Sequence, residues 1–310
     1  MHPKALESRL MKAMGQATRD FDLIEPNDRI LVALSGGKDS YGMLYLLQKM
    51  RAQVPFPFEL VLYHLDQGQP GHDTSPIEAH MKATGLPYEV AYQDTYTRVV
   101  QLTQPGKIYC SLCSRFRRAI LYKAAIKHNC NKVALGHHRD DLIETLLLNI
   151  LFAGQIKGMP VKLTSERKTH QVIRPLAYVP EEELIALSEQ QGFPIVPCRL
   201  CGSQLKQRAY VKNLLNQLQE HSPHIKGNIL HALSNVLPSH LLDKRLLTDM
   251  AVDAKTFDDA LTIGSVPAAP APQGQDDAAD EMDDAAEDQA APLVRLGARQ
   301  PDLHGAPAPG

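Results

Sequence analysis

Two groups of residues in this chain have types and spacings that could do chemistry. The first is Ser35-Gly36-Gly37-Lys38-Asp39-Ser40. Consecutive glycines let a backbone turn sharply and come close to a ligand, and a helix starting behind such a turn points unpaired N–H groups at it. Those are the needs of a phosphate group. A plain strand-to-helix turn could also use Gly-Gly for geometry alone, but Ser, Lys, Asp and Ser in one turn offer more polar chemistry than a turn requires. A Walker A loop is excluded, because no G-x-x-x-x-G-K-S/T spacing occurs.

The second group is the cysteines. Of Cys110, Cys113, Cys130, Cys198 and Cys201, four form two C-x-x-C pairs, and in a chain without a secretion signal this argues for metal or redox chemistry over structural disulfides. The pairs are separated by 84 residues, Ser114 to Pro197. Local zinc modules have gaps of about 12 to 20 residues, so a shared site here requires the fold to bring the pairs together. Four thiolates suit zinc or an iron–sulfur cluster, a redox C-x-x-C is a third option, and spacing does not choose among them. Cys130 is unpaired and reads as a core thiol.

The elements around these groups follow from periodicity. Arg29 to Leu34 is an apolar run of strand length, and Tyr41 to Leu47 repeats its apolar residues at helical spacing, so the glycine turn reads strand, turn, helix. Phe58 to Asp66 reads as a second strand, Ser75 to Thr84 as a helix and Tyr88 to Tyr92 as a third strand. Ligands of open parallel sheets sit beyond the carboxyl ends of the strands, which places Asp66 near a nucleotide or its metal. Cys110-Ser111-Leu112-Cys113 leads into a helical stretch carrying Arg115, Arg117 and Arg118, where a helix start beside arginines favours thiolates.

Lys132 to Gly136 is a fourth strand that runs into His137-His138-Arg139-Asp140-Asp141 and a helix. Carboxylates at that helix start are favoured by its dipole. The functional expectation is that Gly136 and His137 line the nucleotide pocket, with Asp141 among the cofactor-binding residues, while one of the carboxylates Asp140, Asp141 and Glu144 helps hold Mg²⁺. Val172 to Leu176 reads as the last strand, Glu181 to Gln190 as a helix capped by Gly192, and Gln207 to Met250 as helical pieces broken at Pro223 and Pro238. The alternation predicts an α/β fold, a Rossmann-like parallel sheet with helices on both faces. The expected divisions are an N-terminal helix in 1–28, the α/β domain in 29–200, a helical segment in 201–250 and a disordered acidic tail in 251–310.

Charge is uneven along the chain. Residues 251–310 hold 12 Asp and Glu against 3 Lys and Arg, which leaves 23 acidic and 30 basic residues in the first 250. A basic body of +7 suits a polyanion such as RNA, although nucleotide phosphates alone account for part of the excess. No apolar run approaches the ~18 residues of a membrane span and the start lacks a signal-peptide pattern, so a cytoplasmic location without membrane contact is the expectation.

The S-G-G-x-D-S pattern resembles the pyrophosphate loop of the PP-loop ATP pyrophosphatases, of adenine nucleotide alpha-hydrolase fold, which split ATP between its α and β phosphates. Taken with Leu135-Gly136-His137-His138-Arg139-Asp140-Asp141, Cys110 to Arg115 and Pro197 to Gln204, the chain resembles the TtcA family over roughly residues 8 to 220. That family makes 2-thiocytidine in the tRNA anticodon loop. The resemblance implies ATP and Mg²⁺ bound at Ser35, Gly36, Gly37, Lys38, Asp39 and Ser40, with catalytic roles for Lys38 and Asp39. It also implies a [4Fe-4S] cluster on Cys110, Cys113 and Cys198 with one iron open to carry sulfur. Cys201 matches the motif but is not among the implied ligands. A cysteine desulfurase is the implied sulfur source, and a homodimer is compatible with the sequence. The alternatives are a PP-loop uridine thiolase, a lysidine-forming ligase, which would not need the cysteines, or a nucleotide-binding iron–sulfur redox sensor.

Overall fold

In β1 (Arg29–Leu34) successive side chains point to opposite faces, and both faces are covered. Ile30, Val32 and Leu34 join one apolar cluster and Leu31 another, all at 3% exposure or less. β2 (Glu59–Asp66) repeats the pattern, with Leu60 and Leu62 on the first face and Val61 and Tyr63 on the second. Burial on both faces is why these strands read as continuous apolar runs.

The computed structural model describes residues 3–103, 110–165, 168–196 and 206–246. One face is covered by α1 (Pro3–Asp20), α2 (Lys38–Gln53), α3 (Ser75–Ala83) and α7 (Glu181–Gln191). The other is covered by α5 (Cys110–Lys127), through Ile120, Leu121, Ala124 and Ala125. The anticipated stripe of α1, Leu6, Leu10, Met14 and Ala17, lies in the same cluster as the strand residues. The remaining strands are β3 (Tyr88–Tyr92), β4 (Lys132–Ala134), β5 (Lys162–Thr164) and β6 (Gln171–Ile173), and the sheet order is β3-β2-β1-β4-β6-β5. The chain therefore builds outward from β1 through β2 to β3, then crosses back so that β4 pairs in parallel with the other edge of β1, Ile30 opposite Lys132 and Val32 opposite Ala134. Such a reversal opens a crevice at the carboxyl ends of β1 and β4.

Two elements departed from the expected set. β5 pairs antiparallel with β6, so one edge of the otherwise parallel sheet is reversed. Its three residues are too few to show a period. α4 (Thr95–Leu102) starts at Asp94, whose carboxylate accepts from Thr97 N at 2.9 Å, an N-cap visible only once the preceding strand is placed.

α6 (Arg139–Leu148) continues into a π-helical turn, Asn149–Ala153, ended by Gly154 at φ +62. α8 (Lys206–His221) and α9 (Ile225–Ala232) pack on α6, with Val211 and Leu215 against Ile143. A short 3-10 turn starts at Pro238, where a break was expected. Residues 1–240 form one unit and 241–310 a second, in which the described stretch 241–246 holds a 3-10 turn at Lys244–Leu246. Cys198, Cys201 and the tail from 251 lie outside the described residues. Among the described residues no helix is long and apolar enough to cross a membrane.

Candidate active site

The glycine turn closes on itself before it meets anything else. Ser40 Oγ donates to Gly37 O at 2.8 Å and accepts from Ser35 N at 3.2 Å, while Gly37 N points at Ser35 Oγ at 3.4 Å. Gly36 sits at φ +83, and a Cβ there would come within 2.8 Å of Ile77 Cδ1 and 3.3 Å of Val196 Cβ. Both backbone conformation and space therefore require glycine. Gly37 caps α2 without a side-chain hydrogen bond, leaving the helix start to be satisfied from outside. Gly136 is needed for another reason: a Cβ on it would lie 3.1 Å from the backbone of Asp39, so the end of β4 passes directly over the start of α2.

A cavity of about 390 Å³ opens at this crossing, lined by Ser35, Gly37, Asp39, Ser40, Gly136, His137 and Asp141 of the expected set. Gly36 and Lys38 lie between lining residues without lining it. So does Asp66, flanked by Leu65 and Gln67; its Oδ1 accepts from Gly68 N at 2.9 Å and closes its own turn.

Lys38 Nζ is 3.1 Å from Asp39 Oδ1 and 3.1 Å from Glu181 Oε1. Burial works against its charge, but the two carboxylates outweigh burial and hold its pKa above the usual value. Glu181 is shared with Lys212 Nζ at 2.7 Å, and Arg208 reaches Asp141 at 3.7 Å and Glu144 at 3.6 Å. α8 thus lays two cations over the carboxylates of the site. Neither was anticipated: they lie about 170 residues from the loop, and the sequence signal was the basic run Lys206-Gln207-Arg208 that opens α8. Glu144 is buried and its pKa is raised, chiefly by burial, with Arg208 opposing. Asp140 faces elsewhere, tying α6 to α7 and α9 by accepting from Glu181 N at 2.9 Å and pairing with Lys226 at 2.9 Å.

His137 is held neutral. Burial first, then the charge of Arg174, push its pKa down to about 4. The unfolded imidazole takes a proton near pH 6.5 and the folded one does not, so stability is lost as pH falls from about 6.5 to about 4, by on the order of 3 kcal/mol. His137→Asn is expected to remove that component of the acid dependence. Urea unfolding at pH 7.5 and 4.5 checks this, and equal pH dependence in both proteins would refute it.

The cysteine side of the cavity is reached through Gln67. Its Oε1 accepts from Cys113 Sγ at 3.2 Å, while Gln67 and Arg117 both line the cavity. Cys113 lies in the first turns of α5, the helix-start position expected for it, and is buried there. Val196, two residues before Cys198, also lines the cavity, and its N–H donates to Gly36 O at 2.9 Å. Gln67, the partner of Cys113, and Val196 therefore meet at the same cavity. Cys130 packs in the core under α5, where burial raises its pKa to about 11. No cluster of three or more metal-type ligands occurs among the described residues.

A glycine turn between strand and helix, set at the reversal of a parallel sheet, defines a nucleotide-binding domain of the PP-loop class, and the PP-loop domain model matches residues 5–217. Similar relatives narrow this. The tRNA-cytidine(32) 2-sulfurtransferase of Anaeromyxobacter sp. (strain K) is 51% identical over 247 residues, 79% of this chain and 85% of the relative. That of Neisseria meningitidis serogroup C (strain FAM18) is 47% identical over 242 residues, 78% and 76% of the two chains. The chain belongs to the tRNA-cytidine(32) 2-sulfurtransferase family. Among solved structures, the U34-tRNA thiolase NcsA from Methanococcus maripaludis with its [4Fe-4S] cluster is similar at TM-score 0.58 and 27% identity, covering 77% of this chain and 79% of that one.

Proposed function

We propose that this protein uses ATP to replace the C2 oxygen of cytidine 32 in a tRNA anticodon loop with sulfur. The observation that carries this reading is that the glycine turn and Gln67, the partner of Cys113, line one cavity. The Gly36-Gly37 backbone and the start of α2 would receive the ATP phosphates. The C2 oxygen of cytosine attacks the α phosphorus, the bond to the β-phosphate oxygen breaks, and pyrophosphate leaves. Lys38 stabilises the negative charge that builds on the phosphates. Sulfide then attacks C2, the C–O bond breaks with its electrons going to AMP, and sulfide's proton is released. Asp141 would hold Mg²⁺, in keeping with the hard oxygen ligands that ion takes.

Buried sulfur at a helix start, joined to the cavity through Gln67, fits a cluster ligand in Cys113, with Cys110 and Cys198 as the partners that the family pattern implies. A [4Fe-4S] cluster held there would supply the sulfur. A cysteine desulfurase together with a two-electron thiol reductant, which takes its persulfide sulfur to sulfide, would renew it, and a cytoplasmic location follows from the tRNA substrate. The test is anaerobically reconstituted protein with unmodified tRNA, ATP and sulfide, followed by nucleoside analysis. One 2-thiocytidine per AMP is expected; a thiouridine, lysidine or an unmodified tRNA would overturn the reading.

A further inference from the structure

The segment after α6 carries apolar side chains where water should be. In the π-helical turn and the loop behind it, Leu151 is 49%, Phe152 47% and Ile156 70% exposed, and Tyr210 of α8 is 59% exposed. Phe152 and Tyr210 meet edge to face, ring centroids 6.4 Å apart at 74°, so two elements distant in sequence hold one aromatic pair at the surface. π-turns recur at functional sites. An exposed apolar patch of this kind marks an interaction surface.

Charge selects the partner. Residues 145–165 and 206–219, which carry the patch, contain Lys157, Lys162, Lys206, Arg208 and Lys212 and no Asp or Glu. Tyr210 follows Arg208 by two residues and so faces outward from α8 while Arg208 faces the carboxylates of the site. Phe152 lies eight residues beyond Glu144, about 12 Å along the helix. Arg208 and Lys212 are also paired with carboxylates of the site, yet an excess of basic over acidic residues beside exposed rings suits a single-stranded polyanion, whose bases stack on aromatic faces while its phosphates meet lysines.

We propose that Phe152 and Tyr210 form a stacking platform for an unpaired base of the tRNA substrate, next to the base that reacts. This rests on the tRNA reading above. The double variant Phe152→Ala/Tyr210→Ala is expected to raise the tRNA Kd and KM by about ten-fold or more, with kcat at saturating tRNA and the KM for ATP within about two-fold of the parent. Phe152→Tyr and Tyr210→Phe keep the ring face and should leave the Kd within about two-fold. If the double variant does not fold, Tyr210→Ala alone carries the same test. Unchanged tRNA Kd in a folded variant overturns the platform, as does loss of self-association in sedimentation without a change in Kd, which would make the patch an interface between copies. A parent protein that binds no tRNA fails the function itself; a parent that thiolates tRNA beside a variant of unchanged Kd fails the platform alone.

Discussion

Cys113→Ala is expected to end thiolation while leaving the fold and ATP binding in place. The side chain is small, and the hydrogen bond it gives to Gln67 Oε1 at 3.2 Å is worth about 1 kcal/mol. α5 is held to the sheet by Ile120, Leu121, Ala124 and Ala125 further along. What the sulfur atom supplies is a ligand, and a ligand has no substitute in alanine. The variant should bind ATP with unchanged affinity, hold less iron and sulfide after anaerobic reconstitution, and form 2-thiocytidine only at background. Full thiolation by Cys113→Ala would remove this cysteine from sulfur delivery.

Lys38→Met should lower kcat by about 100- to 1,000-fold, the usual effect of losing one group aimed at developing charge. Stability should change little, because Lys38 is about a quarter exposed and Glu181 keeps Lys212 at 2.7 Å. The ion pairs that hold Nζ beside the loop are also what keep it charged, since burial alone would lower its pKa. Single-turnover AMP release separates the possibilities: a slowed chemical step supports transition-state stabilisation, whereas a higher KM for ATP at unchanged kcat would reduce Lys38 to a binding contact.

The part of the site legible in the sequence was the part built from neighbours. Gly36 and Gly37 could be read because a turn between strand and helix has local geometry, and Gly136 and His137 because they follow directly on a strand end. Asp66 shows the limit of that reasoning. It stands at the end of β2 as expected, while its Oδ1 accepts from Gly68 N two residues away and Leu65 and Gln67 on either side line the cavity, details that position along the strand does not decide. Two residues given no role beforehand, Arg208 and Lys212, enter because α8 folds back across α6 through Val211 and Leu215, and nothing in a helical repeat says which helix it will meet.

By itself the sequence determined the strand–turn–helix around Ser35 to Ser40, the parallel βα alternation and the apolar stripe of α1, because each depends on φ and ψ preferences and on periods of two or 3.6 residues. Only the tertiary structure decided that β4 returns to the free edge of β1, that β5 turns antiparallel at the sheet's edge, and that Gln67, the partner of Cys113, lines one cavity with the glycine turn. Those are contacts between residues tens of positions apart, and they form only when apolar faces on separate elements find one another in burial.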